Sequence, residues 1–84
     1  MQIAQIKSKI REVIFETTNI KPEDIGDSAS FRDDMNLDSL TLLEIAVNIE
    51  QAFGLDVPEE ELEKFTDLVT SADLVMDYMA KQAA

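Results

Sequence analysis

Apolar residues along the chain recur at helical spacing in separate runs. Ile3, Ile6, Ile10, Val13 and Ile14 form one stripe, with Lys7, Lys9, Arg11, Glu12 and Glu16 largely off it. This predicts a first helix from about Gln2 to Thr18. A second stripe, Leu40, Leu43, Ala46, Val47 and Phe53, predicts a helix from about Ser39 to Phe53. Asp38 or Ser39 can cap its start, and Gly54 can take the left-handed conformation that ends it. Glu44, Glu50, Thr41 and Asn48 are expected at its surface. Pro58 opens a short third helix to about Lys64, since proline is tolerated at a first helical position and Glu59, Glu60 and Glu61 suit the positive end of the dipole. Leu62 and Phe65 are its inward residues. A fourth helix is expected from about Ser71 to Lys81, with Thr70 and Asp73 as a weak capping box and Leu74, Val75, Tyr78 and Met79 on its apolar face.

Between the first two helices runs a long polar connection, Asn19 to Leu37. Pro22 forbids continuation of a helix, and Glu23, Asp24, Gly26, Asp27, Ser28 and Ser30 are turn formers. Ile20, Ile25, Phe31 and Met35 are placed to pin it to the core, with a short helical turn after Pro22. No alternating strand pattern of useful length occurs. The fold expected is all-α: a four-helix bundle with a long loop between helices 1 and 2 and a short third helix, residues 1–84 forming a single domain.

Composition narrows the function. The 84 residues are 45% hydrophobic, enough for one small core worth about 3–5 kcal/mol. With no cysteine and no histidine, the usual nucleophile–base pairs and zinc ligand sets are absent. Neither a G-x-x-x-x-G-K loop nor a G-x-G-x-x-G turn occurs. An enzyme is not expected. The longest apolar run is three residues, far short of the roughly 18 a spanning helix needs. A soluble, cytoplasmic monomer without membrane insertion is the expectation. Net charge is −11, which repels nucleic acid and favours basic partners. From Asp33 to Glu63 there are ten acidic residues and no base. This run is either a solvated face or a docking surface for basic patches, with Asp38, Glu44, Glu50, Asp56, Glu59 and Glu60 as its candidate contacts. The loop Asp33–Asp38 lacks the ligand spacing and glycine of an EF-hand, so no metal site is expected.

Ser39 is the candidate functional residue. It stands where loop gives way to helix, and a helix N-terminus offers free N–H groups and partial positive charge to a phosphate. Asp38 repels a dianion, so a phosphodiester, with one charge, suits the place better. The geometry does not identify the modification, and a plain helix cap is the simpler account of such a serine.

The run Phe31-x-Asp33-Asp34-Met35-Asn36-Leu37-Asp38-Ser39-Leu40, followed by a leucine-rich helix, Glu50-x-x-Phe53-Gly54, Val57-Pro58-Glu59-Glu60-Glu61 and Asp77-Tyr78-Met79, resembles the acyl carrier protein family. The match spans roughly Ile3 to Met79. D-S-L alone is a weak motif, but in this order and at these distances it is a strong one. The resemblance implies that Ser39, flanked by Asp38 and Leu40, carries 4′-phosphopantetheine from coenzyme A, whose thiol holds an acyl group as a thioester. It implies as partners a phosphopantetheinyl transferase and synthases, transferases or ligases with basic patches, in fatty-acid, lipid or polyketide-type synthesis. An acyl chain stored between the helices would meet Met35, Leu43, Val47, Leu62, Phe65, Met76 and Met79; core filling is the plainer role of the methionines. The alternatives are a peptidyl or aminoacyl carrier, and an unmodified acidic helical interaction module. Two departures from the family pattern point to a specialised carrier. Asn36 stands where glycine is usual, and the segment Lys64 to Val69 looks longer than usual.

Overall fold

The computed structural model describes residues 2–83, and the backbone alone of residue 83. Three α-helices and two short 3₁₀ segments follow in the order α1 (Ile3–Thr18), a 3₁₀ turn (Pro22–Asp24), α2 (Ser39–Phe53), a 3₁₀ helix (Glu59–Lys64) and α3 (Leu68–Ala83). The expected short third helix is thus present with 3₁₀ geometry, which suits six residues holding few interior contacts.

α1 packs against both α2 and α3, and α2 also meets the 3₁₀ helix. Ile6, Ile10, Val13 and Ile14 are buried on α1, as the stripe predicts, while Ile3 lies at the exposed end. Asn19 ends the helix in the left-handed conformation (φ 66°), its N–H donating to the Phe15 carbonyl.

The face α2 turns inward is only partly the one its spacing predicts: Ala46 is buried and Phe53 packs against the core, but the rest of the stripe is displaced. Ile45, Ala46 and Ile49 are fully buried, whereas Leu40 is 66% exposed and Leu43 48% exposed. The helix is apolar on more than one side, so periodicity alone does not select the buried face. α2 therefore presents Leu40 and Leu43 to the surface beside Glu44.

The long connection is well tied. Ile25 and Phe31 are buried, and Ile20 and Met35 pack against the core. Lys7 and Arg11 of α1 both pair with Asp27, and the Arg11 Nε–H donates to the Ile25 carbonyl. The Phe31 N–H donates to the Thr66 carbonyl (2.9 Å), and the Val69 N–H to that of Asp27 (3.1 Å), so the loop is stitched to the start of α3. Asn36 holds φ 56°, a conformation asparagine accepts more readily than most residues.

α3 begins three residues before the expected start. The Asp67 carboxylate accepts the Thr70 N–H (2.7 Å), so Asp67 caps the helix, not Thr70. Burial of Leu68 and the bond from Phe31 to Thr66 fix that earlier entry. Only Phe65, Thr66 and Asp67 separate the 3₁₀ helix from α3. Of the segment Lys64 to Val69, the ends belong to the two helices and those three residues alone connect them. No helix among the described residues is long and apolar enough to cross a membrane.

Candidate functional site

The approach to α2 is a set of tight turns. The Asp34 and Met35 N–H groups donate to the Ser30 carbonyl, the Ser30 N–H donates to the Asp34 carboxylate (2.8 Å), and the Leu37 N–H donates to the Phe31 carbonyl (3.1 Å). The chain doubles back, and residue 32 comes to stand beside residue 39.

Asp38 is the N-cap of α2. Its Oδ1 accepts the Thr41 N–H at 2.9 Å, and its carbonyl accepts the Leu42 N–H. The bond from Thr41 holds the Asp38 carboxyl below the ordinary aspartate value of 3.8, so it is ionised at neutral pH. Ser39 is the first helical residue, exposed, and its hydroxyl does not cap the helix. Its Oγ accepts a hydrogen bond from an Nη of Arg32 at 3.1 Å. The cap and the exposed hydroxyl thus belong to different residues, which answers the plain-cap account of Ser39.

Ser39 lies on the wall of an open cleft of about 570 Å³ between α2, the 3₁₀ helix and the loop. Leu42, Leu43, Leu62 and Phe65 give it apolar lining, and Arg32, Asp33, Glu59 and Glu63 give it charge. Of the residues expected around an acyl chain, the cleft brings together Leu43, Leu62 and Phe65. Met35 and Met79 are half-buried against the core, Val47 is half-buried on α2, and none of the three lines the cleft. Met76 is 42% exposed on α3, one position past the buried Val75, and does not belong to an interior lining.

The acidic residues also divide. Asp38, Glu44, Asp56, Glu59 and Glu60 are exposed. Glu50, expected at the surface, is half-buried, and its Oε2 accepts the Val57 N–H at 2.7 Å. It ties the end of α2 to the stretch before Pro58. Asn48, also expected outside, donates to Thr17 Oγ1 of α1 (2.9 Å) and is half-buried, as is Thr41. Glu61 pairs with Lys64 and accepts the Tyr78 hydroxyl (3.0 Å), which joins the 3₁₀ helix to α3. Those bonds, the one to Lys64 foremost, lower the Glu61 pKa; burial, with the bond to Glu61, raises that of Tyr78.

Sequence reasoning passed over Arg32. Its one visible signal was position, as the last base before the acidic run, seven residues ahead of Ser39. Nothing in the spacing shows that the loop brings the two side chains together.

A family model described as "Phosphopantetheine attachment site" matches residues 8–75. The chain is also 35% identical over 78 residues to an acyl carrier protein of Rubrobacter xylanophilus, covering 93% of this chain and 96% of that one. The prosthetic group of such proteins is 4′-phosphopantetheine, and the exposed hydroxyl of Ser39, free of any capping role and beside a partly apolar cleft, fits such a group. Acyl carrier proteins are carriers and not enzymes; they work with the enzymes of synthesis and with a phosphopantetheinyl transferase. By both matches, and with an all-helical fold of this kind, the chain belongs to the acyl carrier protein family.

Proposed function

We propose that Ser39 is the attachment point of 4′-phosphopantetheine and that the arm carries an acyl group as a thioester between enzymes. The observation that carries this reading is the separation of roles at the start of α2: Asp38 satisfies the helix, leaving the Ser39 hydroxyl exposed at the cleft. In the loading step Ser39 Oγ bonds to phosphorus and the pyrophosphate bond of coenzyme A breaks. Adenosine bisphosphate leaves, and the hydroxyl proton passes to the transferase. The thiol brought in this way supplies the reactive sulfur that the polypeptide lacks. The whole chain acts as one carrier domain, a cytoplasmic monomer.

Partner enzymes with basic patches dock on the exposed acids Asp38, Glu44, Asp56, Glu59 and Glu60, with Leu40 and Leu43 providing apolar contact. Glu50 is set apart from this surface by its bond to Val57. Such docking steers association and weakens with salt, since screening acts over about 8 Å at physiological ionic strength. One ground for a specialised pathway loses force, since Asn36 holds the positive φ that glycine would supply.

The test is intact mass before and after incubation with coenzyme A and a broad-specificity phosphopantetheinyl transferase. A gain of one phosphopantetheine that maps to Ser39 and disappears in Ser39→Ala is expected. Loading retained in Ser39→Ala would sink the assignment. No gain in the folded wild-type chain would leave an unmodified acidic interaction module as the better account.

A further inference from the structure

Five of the seven bases of this chain are committed, and of the other two Lys21 lies in the first loop away from the cleft. Lys7 and Arg11 pair with Asp27, and Lys64 pairs with Glu61. Lys9 lies over the Phe53 ring and Lys81 over that of Tyr78, each 4.9 Å from the centroid. Arg32 differs. It sits beside Asp33 and Asp34 in sequence and shares the cleft with Asp33, Glu59 and Glu63. Yet among the described residues no carboxylate lies within ion-pair distance of its guanidinium, which donates instead to Ser39 Oγ. In a chain of net charge −11, a guanidinium that spends its contact on a neutral hydroxyl is placed for an anion at that hydroxyl.

We propose that Arg32 is the phosphate clamp of the prosthetic arm: its guanidinium binds the phosphodiester monoanion on Ser39 and holds the root of the arm at the cleft. This rests on the attachment reading above. The phosphorus would sit one covalent bond from Oγ, the atom Arg32 already reaches at 3.1 Å. A hydroxyl offers the guanidinium a single acceptor atom. A phosphodiester offers two further oxygens that match its planar fork of donors, a stronger and more directional contact than lysine makes. The clamp also offsets the repulsion between the new negative charge and Asp38, which Thr41 holds ionised. Arg32 is thereby a positioning residue for the arm.

The experiment loads the wild-type chain, Arg32→Ala and Arg32→Lys with coenzyme A and a transferase, and confirms each by mass. No gain of mass in the wild type overturns the attachment reading and the clamp together. Once loading is shown, the clamp is read separately by ³¹P resonance of the phosphodiester and by the ¹⁵Nε resonance of Arg32. At low salt the wild-type phosphorus signal is expected to be shifted and broader than in Arg32→Ala, with Arg32→Lys between them. The difference collapses near 1 M salt, where the screening length is about 3 Å. The Arg32 Nε resonance is expected to move between the apo and loaded wild-type chains. Coincident phosphorus signals in the wild type and Arg32→Ala, with an unmoved Arg32 resonance, overturn the clamp and leave attachment intact. Should Arg32→Ala resist loading, the wild-type apo-to-loaded shift of Arg32 decides alone: movement supports the clamp and its absence overturns it.

Discussion

The Asp38 carboxylate accepts the Thr41 N–H at 2.9 Å, so the residue that caps α2 is the neighbour of the serine and not the serine itself. Ser39→Ala is therefore expected to leave the thermal midpoint nearly unchanged, since alanine is a good helix former and no cap is lost. Asp38→Ala should lower the midpoint by several degrees through loss of the cap. Thermal melts by circular dichroism check both, and an equal drop in the two variants would assign a capping share to Ser39.

Glu50 and Glu44 lie on the same helix and should behave differently. Glu50→Ala strips the N–H of the buried Val57 of its acceptor and is expected to cost about 1–3 kcal/mol in urea unfolding. Glu50→Gln, which keeps an acceptor oxygen, should recover most of that. Glu44→Lys on the exposed face should change stability by no more than about 0.5 kcal/mol. It should instead weaken binding to a transferase at low salt. A stable Glu50→Ala would remove the bond to Val57 from the account of the fold.

The acid limb of stability should carry the signature of Asp27. Its bond to Lys7, with the charge of Arg11, holds the carboxyl below its ordinary value of 3.8. As pH falls the unfolded chain takes up this proton before the folded chain does. The contribution is therefore whole above 3.8 and is lost as pH drops through the lowered value. Other carboxylates of this acidic chain also titrate, so the quantity to follow is the gap in urea midpoint between wild type and Asp27→Asn. It should be constant above about pH 5 and shrink below about pH 4. A gap that persists undiminished to the acid transition contradicts the pairing.

Ser71 sits fully buried on α3, and its Oγ has no hydrogen-bond partner among the described residues. Ser71→Ala removes a desolvated hydroxyl and improves helix propensity, so it should stabilise by about 1 kcal/mol. A rise of the urea midpoint at unchanged slope is the expected result. A clear loss would mean that the hydroxyl is satisfied in solution by a water.

Much of this fold is legible in the sequence because α1 has a single apolar stripe and α2 carries strong signals at both ends, Asp38 and Gly54. α2 is also where reading by period fails. Leu40, Leu43 and Val47 have the right spacing for a core, but so do Ile45, Ala46 and Ile49, and only packing against α1 decides between them. The start of α3 is misplaced by the sequence reading, which takes Thr70 as the cap; Asp67 holds that role because burial of Leu68 and the stitch from Phe31 bring the helix in earlier. Ser39 stood out through its motif. Arg32 did not, because asparagine at 36 permits the turn but nothing local shows that it brings residues 32 and 39 together.

The inward commitment of the bases bears on how copies of the chain meet one another. Five of the seven are engaged by a carboxylate or an aromatic ring of the same chain, so little mobile positive charge is left to find a carboxylate on a neighbour. At low ionic strength two molecules approaching in any orientation meet chiefly like charge. A positive osmotic second virial coefficient at low ionic strength is the expected result. An acyl carrier protein charged in this way is kept from pairing with copies of itself.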